Sequence, residues 1–484
     1  GVTKKKGVDN GVIAKNVSTD YSGKFFSDDK TREVKYKDNQ LVLAEKDTTA
    51  ETHTHCLCGK THTAIGDHKT EQEVTFATEL KMENGKLMKG GREWIKSMVN
   101  RADGGREQRG YVLSQGEYYL YGDITLSDAA ILINGDVKLC LNGHTIDRAN
   151  KTGGIDYVIW VLGNDKAHLT LTDCVGGGTI KGGGNGGVDI FGFCTLDMFG
   201  GTITGNTATN GNGGGIYIHF NAGNVSISNA TITDNKASAT GNTSYGHGGG
   251  IYSERGVTVK NVKITGNNST FAGGGIYGKG AITLTDATVT DNSQYDVYYD
   301  GRESNTPELT VSGLVKAGYY ANEAWKLPIL VSGELSENSV IHVGVREGIN
   351  LGAIAEPASG VTLSAENFKA DAADSVTSLG EDGKVYLSLC EHEMDDTGYT
   401  CKKCHTQFDA RIGESAYYQT LAKAFQNAWD GSTITLMRDV NLNGSCSASD
   451  TITLDLHGKT ITSGDKFFNV NEKLTVKDSS EGGG

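Results

Sequence analysis

The sequence predicts an all-β fold in which short strands stack in parallel coils, a parallel β-helix or solenoid. The pentapeptide Gly-Gly-Gly-Ile-Tyr occurs three times, at 213–217, 248–252 and 273–277. Self-similarity at this spacing is typical of a stacked repeat, because one coil cannot bury its own apolar face. Short runs ending in Thr-x-Asn recur with a β-branched residue before the Thr, and they alternate with period two, so each coil is built of strands. The β-branched positions are Ile203, Ile232, Ile264 and Val289.

The composition supports this fold and narrows the class of partner. The 484 residues include 67 glycines and only 3 prolines, which suits tight turns between strands whose N–H groups all enter ladders. The formal net charge of −14 argues against nucleic acid or an anionic membrane surface as a partner. No apolar run is long enough to span a bilayer. We expect a monomer.

Composition divides the chain into six segments. Strand-like runs lie at 32–36 and 40–44, and again at 329–332, 340–343, 361–364 and 384–387. Short helical caps are expected at 92–100 and 413–430, because a solenoid end otherwise exposes unpaired strand edges. The predicted segments are an N-terminal β segment (1–52), a Cys/His zinc knuckle (53–73), a parallel β-helix (74–312), a closing β region (313–389), a second knuckle (390–411) and the start of a second β-helix (412–484).

The last segment repeats the plan of the main solenoid. Residues 139–146 (LCLNGHTI) align with residues 454–461 (LDLHGKTI), and each copy is followed by a short β-branched run. The second copy stops within the motif at Gly484, so we expect the natural protein to be longer.

The more specific metal motif is Cys390-x-His392 followed by Cys401-x-x-Cys404. Three thiolates and one imidazole in this order suit a closed tetrahedral zinc site, and the C-x-x-C pair reaches one ion from a single turn. The alternatives are a redox pair, a disulfide or surface histidines. A structural zinc here would stabilise a linker that is too short to have a core of its own.

A second zinc site is predicted in segment 53–73. The expected ligands are Cys56, Cys58, His62 and His68, with His55 as a substitute, and the same alternatives apply. The other cysteines are scattered and give no clear disulfide framework. Cys140 aligns with Asp455 at an outward position, so a role in the core is not expected for it.

The repeated tyrosines are the predicted ligand-binding surface. If the Ile of each Gly-Gly-Gly-Ile-Tyr faces inward, Tyr217, Tyr252 and Tyr277 face outward and stack about 4.8 Å apart. The same face then carries His219, Glu254 and Lys279 two residues further on. Aromatic rings beside polar groups form a platform for sugars. The alternative is a column of rings that covers the sheet or packs under a loop.

The repeated asparagines and the acidic residues near them are weaker functional candidates. An internal ladder that satisfies backbone groups is expected from the repeated asparagines, Asn206, Asn235, Asn267 and Asn292.

Glycosidases and lyases need paired carboxylates or a base on one face. The catalytic candidates are Glu254, Asp291 and Asp296, with Asp234, Asp300, His219 and His247 nearby, although acidic residues at coil corners usually form turns.

The Gly-Gly-Gly-Ile-Tyr and Ile-Thr-x-Asn coils resemble the right-handed, single-stranded parallel β-helix repeats of large bacterial surface proteins. They are loosely similar to repeats of chlamydial polymorphic outer-membrane proteins. With the L-x-L-N-G-H-T-I coil and the Cys/His knuckles, the chain looks most like surface proteins of gut Firmicutes. This resemblance implies an extracellular, cell-surface or wall-attached protein, but it carries no catalytic residue over, because the fold hosts many activities.

Three functions follow as hypotheses. The first is an adhesin or glycan-binding protein whose partner is a glycan or a host surface component. The second is a glycoside hydrolase or polysaccharide lyase that acts on host or plant glycans. The third is a structural spacer. None of them requires a cofactor beyond structural zinc.

Overall fold

The architecture is all-β in the computed structural model of the chain. The chain divides into two compact units, residues 1–318 and 319–484. The structure describes residues 12–16, 32–37, 39–45, 53–57, 73–101, 107–149, 156–163, 166–241, 244–300, 309–321, 328–345, 352–370, 375–442, 444–464 and 468–481. Strands are numbered below in chain order.

The N-terminal segment forms a small antiparallel sheet. Its strands are β1 (Val12–Lys15), β2 (Arg32–Lys37) and β3 (Gln40–Glu45), and β3 lies in the middle. The runs predicted at 32–36 and 40–44 are therefore strands. An antiparallel pair follows, made of β4 (His53–Cys56) and β5 (Glu73–Phe76).

The start of the main sheet is extended, and the helical cap predicted at 92–100 is wrong. The segment contains β6 (Thr78–Glu83), β7 (Lys86–Lys89), β8 (Arg92–Glu93) and β9 (Ser97–Val99). Strand β9 pairs antiparallel with the residues from Gln108 to Gly110. Trp94 is buried, and its indole N–H donates to the carbonyl of Val112 at 3.2 Å. Residues 92–100 therefore form strands and extended chain, not a helix.

The long sheet consists of three columns of parallel strands, as the repeat predicts. Strands β10 (Gln108–Leu120) and β12 (Ile131–Cys140) each contribute to the first and second columns. The first column continues with β14 (Tyr157–Val161), β17 (Gly186–Ile190), β21 (Ile216–Ile218), β25 (Ile251–Ser253), β29 (Ile276–Gly278) and β32 (Val297–Tyr299). The second continues with β15 (His168–Thr172), β18 (Thr195–Met198), β22 (Val225–Ser228), β26 (Val257–Lys260), β30 (Ile282–Thr285) and β33 (Leu309–Gly313).

The third column carries the Ile/Val-Thr-x-Asn runs. It contains β11 (Ile124–Thr125), β13 (Thr145–Asp147), β16 (Thr179–Lys181), β19 (Thr202–Thr204), β23 (Thr231–Thr233), β27 (Lys263–Thr265), β31 (Thr288–Thr290) and β34 (Lys316–Ala321). A short side sheet joins β20 (Thr207–Thr209), β24 (Lys236–Ser238) and β28 (Asn268–Ser269). Three parallel columns of this kind are consistent with a solenoid of three strands per coil.

Matching residues of successive coils lie one above the other. Ile232 pairs with Ile203 on one side and with Ile264 on the other, and all three are fully buried. Burying one such side chain contributes about 1.5–3 kcal/mol. Each coil buries its apolar face against its neighbours, which explains the strict alternation in the sequence.

The Gly-Gly-Gly turns allow the coils to approach closely. Gly248 has φ +66°, a conformation that glycine adopts at little cost. A Cβ placed on Gly249 would lie 2.5 Å from the carbonyl oxygen of Asn268. Backbone geometry therefore explains the glycines of the motif, whatever function its tyrosine has.

The asparagine ladder is present as predicted. Each side-chain amide nitrogen donates to the side-chain oxygen of the next asparagine, at 2.9 Å from Asn206 to Asn235 and 3.0 Å from Asn235 to Asn267 and from Asn267 to Asn292. Asn292 donates in turn to Asp296 at 2.9 Å, and the carboxylate ends the ladder.

The second unit begins with a mixed sheet. Its strands are β35 (Ile329–Leu335), β36 (Val340–Val345), β37 (Ala353–Pro357), β38 (Phe368–Ala370), β39 (Ser375–Leu379) and β40 (Val385–Leu389), with a 3₁₀ helix at Ala365–Asn367. Strands β35 and β37 pair in parallel, whereas β39 and β40 form an antiparallel pair. The predicted strand at 361–364 is wrong, because these residues lead into the 3₁₀ helix, where Ser364 caps the N–H of Glu366.

The chain ends with a second set of parallel strands. The elements are β41 (Ala410–Ile412), β42 (Ala416–Tyr418), α1 (Leu421–Asn427), β43 (Thr433–Leu436), β44 (Val440–Leu442), β45 (Cys446–Ala448), β46 (Thr451–Asp455), β47 (Ile461–Ser463), β48 (Phe468–Val470) and β49 (Lys473–Lys477). The helix predicted at 413–430 is present but shorter. It begins after Thr420, whose hydroxyl accepts from the N–H of Lys423 at 3.2 Å. The residues before it are not helical because 416–418 pair as a strand with 410–412.

Candidate metal centres and the tyrosine face

The four residues predicted at 390–404 lie together, and we call them the C-terminal Cys/His cluster: Cys390, His392, Cys401 and Cys404. Cys390 directly follows strand β40. A tight turn positions the C-x-x-C pair, and the N–H of His405 closes it on the carbonyl of Cys401 at 2.9 Å. Phe408 packs edge-on against the His392 ring, with centroids 4.7 Å apart.

The spacing of the cluster fits a tetrahedral metal. The four ligand atoms lie within 4.8 Å of one another. The Sγ atoms of Cys390 and Cys401 are 3.6 Å apart, and Cys404 Sγ lies 3.6 Å from His392 Nδ1. A tetrahedral zinc with bonds of about 2.3 Å to sulfur and about 2.0 Å to nitrogen has edges of about 3.5–3.8 Å. Two of the six ligand–ligand distances thus match these edges, and the cluster could bind a metal ion.

The thiols of this cluster differ in acidity. Burial and the contact with Cys401 raise the pKa of Cys390 to about 12. Burial also acts on Cys401, but hydrogen bonds from the backbone at Cys404 and from His392 outweigh it and lower the pKa of Cys401 to about 6. Polar groups already stabilise one thiolate, which is the form that binds metal.

The structure also forms an N-terminal Cys/His cluster, but with residues that differ from the predicted set. It consists of His53, His55, Cys140 and Cys174, whose ligand atoms lie within 4.8 Å of one another. Of the predicted ligands, Cys56 lies in β4, whereas Cys58, His62 and His68 fall outside the described residues. His55, the predicted substitute, belongs to the observed cluster.

Cys140 is buried, contrary to the expectation of an exposed outward position. It packs with Val74, Phe76 and Tyr119, because the β4–β5 pair covers this part of the coil. Contacts with Cys140, His53 and His55 lower the pKa of Cys174 to about 3, whereas the hydrogen bond with Cys174 and burial raise the pKa of Cys140. Sequence reasoning missed Cys140 and Cys174 because no spacing relates them to the histidines.

The repeated tyrosines form a continuous column, here called the tyrosine column: Tyr217, Tyr252, Tyr277 and Tyr298. Tyr252 and Tyr277 are stacked with ring centroids 5.2 Å apart, and Tyr277 and Tyr298 with centroids 5.4 Å apart. Tyr217 meets Tyr252 edge-on at 5.0 Å and stacks on His219 at 4.0 Å. The predicted register is therefore present, but the ring of Tyr217 lies edge-on to that of Tyr252 and is not stacked on it.

The column is not an open platform along its length. Tyr252 and Tyr277 are only 3% and 4% exposed. Ala272 packs against them, and the His247 ring lies 4.5 Å from that of Tyr277. These two rings are packed under a neighbouring segment, which is the alternative stated for the column in the sequence analysis. Tyr217, in contrast, is half-buried. Of the three predicted stacking residues, only Tyr217 retains a partly exposed ring.

Glu254 receives hydrogen bonds from the column. The hydroxyl of Tyr252 donates to it at 3.3 Å, that of Tyr217 at 3.5 Å, and Lys279 Nζ at 3.2 Å. Tyr277 donates instead to Asp300 at 2.5 Å. Burial, followed by the neighbouring carboxylates, raises the pKa of the three repeat tyrosines, so they remain protonated donors. Glu254 is a positioning group for tyrosine hydroxyls in this structure.

The other acidic candidates have roles in turns and in the ladder. Asp291 and Asp234 have φ +59° and +54° at equivalent corners, and each accepts from the preceding threonine hydroxyl. Asp296 accepts from the backbone and side chain of Asn292 and, at 3.2 Å, from the N–H of Gly318. These contacts account for Asp291 and Asp296 without catalysis.

A cleft of about 220 Å³ lies beside Tyr217. It is lined by three tyrosines, three asparagines, one threonine and one glycine: Tyr157, Asn185, Thr209, Asn210, Gly211, Asn212, Tyr217 and Tyr245. Asn212 is held in place by its bonds to the carbonyl of Ser244 and the N–H of His247, at 3.2 and 3.0 Å. Sequence reasoning found only Tyr217 of this set.

A buried carboxylate, that of Asp189, neighbours two of the tyrosines that line the cleft, Tyr217 and Tyr157. Asp189 is 1% exposed and accepts from His219 Nε2 at 3.1 Å. It occupies the position of the column directly before Tyr217. Burial and the Asp189 charge raise the pKa of Tyr157 well above its ordinary value. Asp189 thus interacts with His219 and with Tyr157, and Tyr157 itself lines the cleft.

Comparison with known proteins finds no matching family model, curated protein or solved structure. Within the described residues, no helix has the length and apolar character needed to cross a membrane.

Proposed function

We propose that this chain is part of an extracellular, cell-surface or wall-attached protein that binds glycan through the cleft beside Tyr217. The observation that carries the proposal is the lining of the cleft, in which aromatic rings and amide side chains converge. Sugar rings present apolar faces for aromatic stacking and hydroxyls that pair with amides. The cleft is smaller than the roughly 300–1,000 Å³ typical of drug-sized ligands, which favours one or two sugar rings at a chain end.

The electrostatics of the cleft favour a neutral glycan. The carboxylates of Asp189 and Glu254 lie next to Tyr217, which lines the cleft, and would repel an acidic sugar. The Tyr217 hydroxyl donates its proton to Glu254, so its oxygen would offer a sugar hydroxyl an acceptor that is already positioned.

The fold belongs to the same proposal. We take the three columns as a closed, right-handed, single-stranded β-helix, because crossovers between parallel strands are right-handed in about 98% of cases. Such a β-helix would present the cleft on a surface built of stacked coils, and the proposal requires only a monomer.

Glycan-array binding followed by calorimetry tests the proposal. Tyr245 is 44% exposed, so Tyr245→Ala removes part of the cleft wall without opening the core. We expect at least a tenfold loss of affinity, about 1.4 kcal/mol. Tyr121→Ala is the matched control, because Tyr121 is a 58% exposed tyrosine outside the cleft. Equal binding by both variants would contradict the proposal.

The other hypotheses give different results in the same experiment. Release of sugar products would support the hydrolase or lyase, and a Glu254→Gln variant would then show whether this carboxylate takes part. Absence of both binding and turnover across neutral and acidic glycans would leave the spacer.

We further propose that the metal of the C-terminal Cys/His cluster is zinc and that its role is structural. Three thiolates and one imidazole favour zinc over harder cations, and four protein ligands leave no open position. Elemental analysis of the purified chain tests this, with Cys401→Ser/Cys404→Ser as the variant that should lose one equivalent. An unchanged zinc content in that variant would remove the assignment.

A further inference from the structure

We propose that the N-terminal Cys/His cluster is a second metal site, formed between the β4–β5 hairpin and two successive coils, and that the metal fastens the hairpin to the solenoid. Its ligands would be His53, His55, Cys140 and Cys174, and the class of metal is a soft divalent cation such as zinc. This inference is independent of the proposed glycan site.

The distances carry the proposal. His53 Nε2 lies 3.2 Å from Cys140 Sγ and 3.1 Å from Cys174 Sγ, and the two sulfurs are 3.5 Å apart. These edges are within about 0.5 Å of those of a tetrahedral zinc bound by two sulfurs and two nitrogens. A disulfide would require the sulfurs to approach to about 2.05 Å.

Strand alternation explains how the histidines reach the site. His53 and His55 are two residues apart in β4 and therefore lie on one face of the strand. Their rings are already oriented by packing. His55 stacks on Phe76 with centroids 4.5 Å apart, and His53 stacks on Tyr119 with centroids 5.0 Å apart.

The register of the coils explains how the cysteines reach it. Cys140 ends β12, and Cys174 lies just after β15, the strand above it. The N–H of Leu141 donates to the carbonyl of Thr172 at 2.8 Å, which aligns the two chain segments. Asp173 further fixes both turns by accepting from the N–H groups of Gly143 and Gly178, each at 2.7 Å.

The hairpin needs such a link. A two-stranded hairpin alone is marginally stable in water, and among the described residues this one packs Val74, Phe76 and the partly buried Leu57 against Tyr119, Cys140 and Cys174. Because the ligands come together only in the folded chain, metal-binding free energy is also folding free energy for this region. Metal removal would release the hairpin and expose the coil surface beneath it.

The test combines metal content with hydrogen exchange of the full chain. The Cys140→Ser/Cys174→Ser variant should lose one zinc equivalent, and exchange protection at 53–57 and 73–76 should fall by at least tenfold. Protection of the Gly-Gly-Gly coils should be unchanged. His55→Gln, at a half-buried position, is the second variant if the double variant does not fold, and it should weaken zinc binding because one of the four ligands is lost.

Three results would overturn the proposal. An unchanged zinc content in the double variant and in His55→Gln is the first. A mass lower by two hydrogens, with Cys140 and Cys174 joined in one peptide, would show a disulfide instead. Loss of the same zinc equivalent in Cys58→Ser or His68→Ala would assign the metal to the ligand set predicted from the sequence.

Discussion

Replacing Asn235 by alanine is expected to destabilise the solenoid strongly, because this side chain links three coils. It is 1% exposed. Its amide nitrogen donates to the carbonyls of Ile203 and Thr233, both at 2.9 Å, and to Asn267 at 3.0 Å. Its oxygen accepts from the backbone N–H of Asn206 at 3.2 Å and from that residue's side chain at 2.9 Å.

The magnitude follows from the groups that lose a partner. The Asn206 N–H would be left buried without the acceptor described above, which costs about 1–3 kcal/mol. The two carbonyls each lose a donor, and the neighbouring side chains lose one bond on either side. A total of about 3–4 kcal/mol is expected, since multiple buried losses place a mutation in the upper tail of measured effects.

Native-state hydrogen exchange with a urea series is the suitable assay, because stacked repeats can unfold locally. Asn268→Ala is the matched control, because Asn268 directly follows the ladder residue Asn267 in the sequence but its side chain is exposed. The control should change stability by less than about 0.5 kcal/mol. If the two variants lie within about 0.5 kcal/mol of each other, the ladder does not stabilise the coils as argued.

Three further predictions concern other contacts of the same solenoid. Gly249→Ala should lower the urea midpoint, because its Cβ would meet the Asn268 oxygen at 2.5 Å, whereas Gly122→Ala, with open space around it, should be neutral or slightly stabilising. Tyr277→Phe should cost about 1.5–3 kcal/mol in urea unfolding by removing the hydrogen bond to the Asp300 carboxylate, and Tyr121→Phe, at an exposed tyrosine, is the comparison. Burial raises the pKa of Asp296 above 3.8, so the folded chain holds this proton more tightly than the unfolded chain. The contribution of Asp296 to the free energy of unfolding is therefore full below about pH 3.8 and is lost as the pH rises through its raised pKa in the folded chain. Unfolding measured over a series of pH values should show this dependence, and an Asp296→Asn variant should lack it.

The parts of the fold that repeat could be predicted from the sequence. Stacking one coil on the next requires the same residue types at the same position, so the Ile/Val and Asn positions reveal both the period and the buried ladder. The C-terminal Cys/His cluster was also readable, because its ligands lie within 15 residues, from Cys390 to Cys404. Local spacing carries the geometry in both cases.

The parts that depend on distant segments could not be predicted in the same way. Alternation assigns Cys140 and Tyr252 to the outer face of their strands, but it does not reveal what lies on that face. The β4–β5 pair covers the first, and the segment around His247 and Ala272 covers the second. The predicted cap at 92–100 failed for a related reason, since residues 97–99 pair as a strand with 108–110 instead of forming a helix.

The place where the column changes is a better guide to function than the repeat itself. Along the column, Tyr252 and Tyr277 stack in parallel and are buried, as expected for groups that hold coils together. At Tyr217 the stacking turns edge-on, the preceding position is the buried carboxylate of Asp189, and the cleft opens beside the ring. A regular coil would gain nothing from burying a charge at this point, because an isolated buried carboxylate is costly unless hydrogen bonds support it. The cost is explained if Asp189 and His219 position the rings for a ligand, and this is why the binding experiment is directed at the cleft.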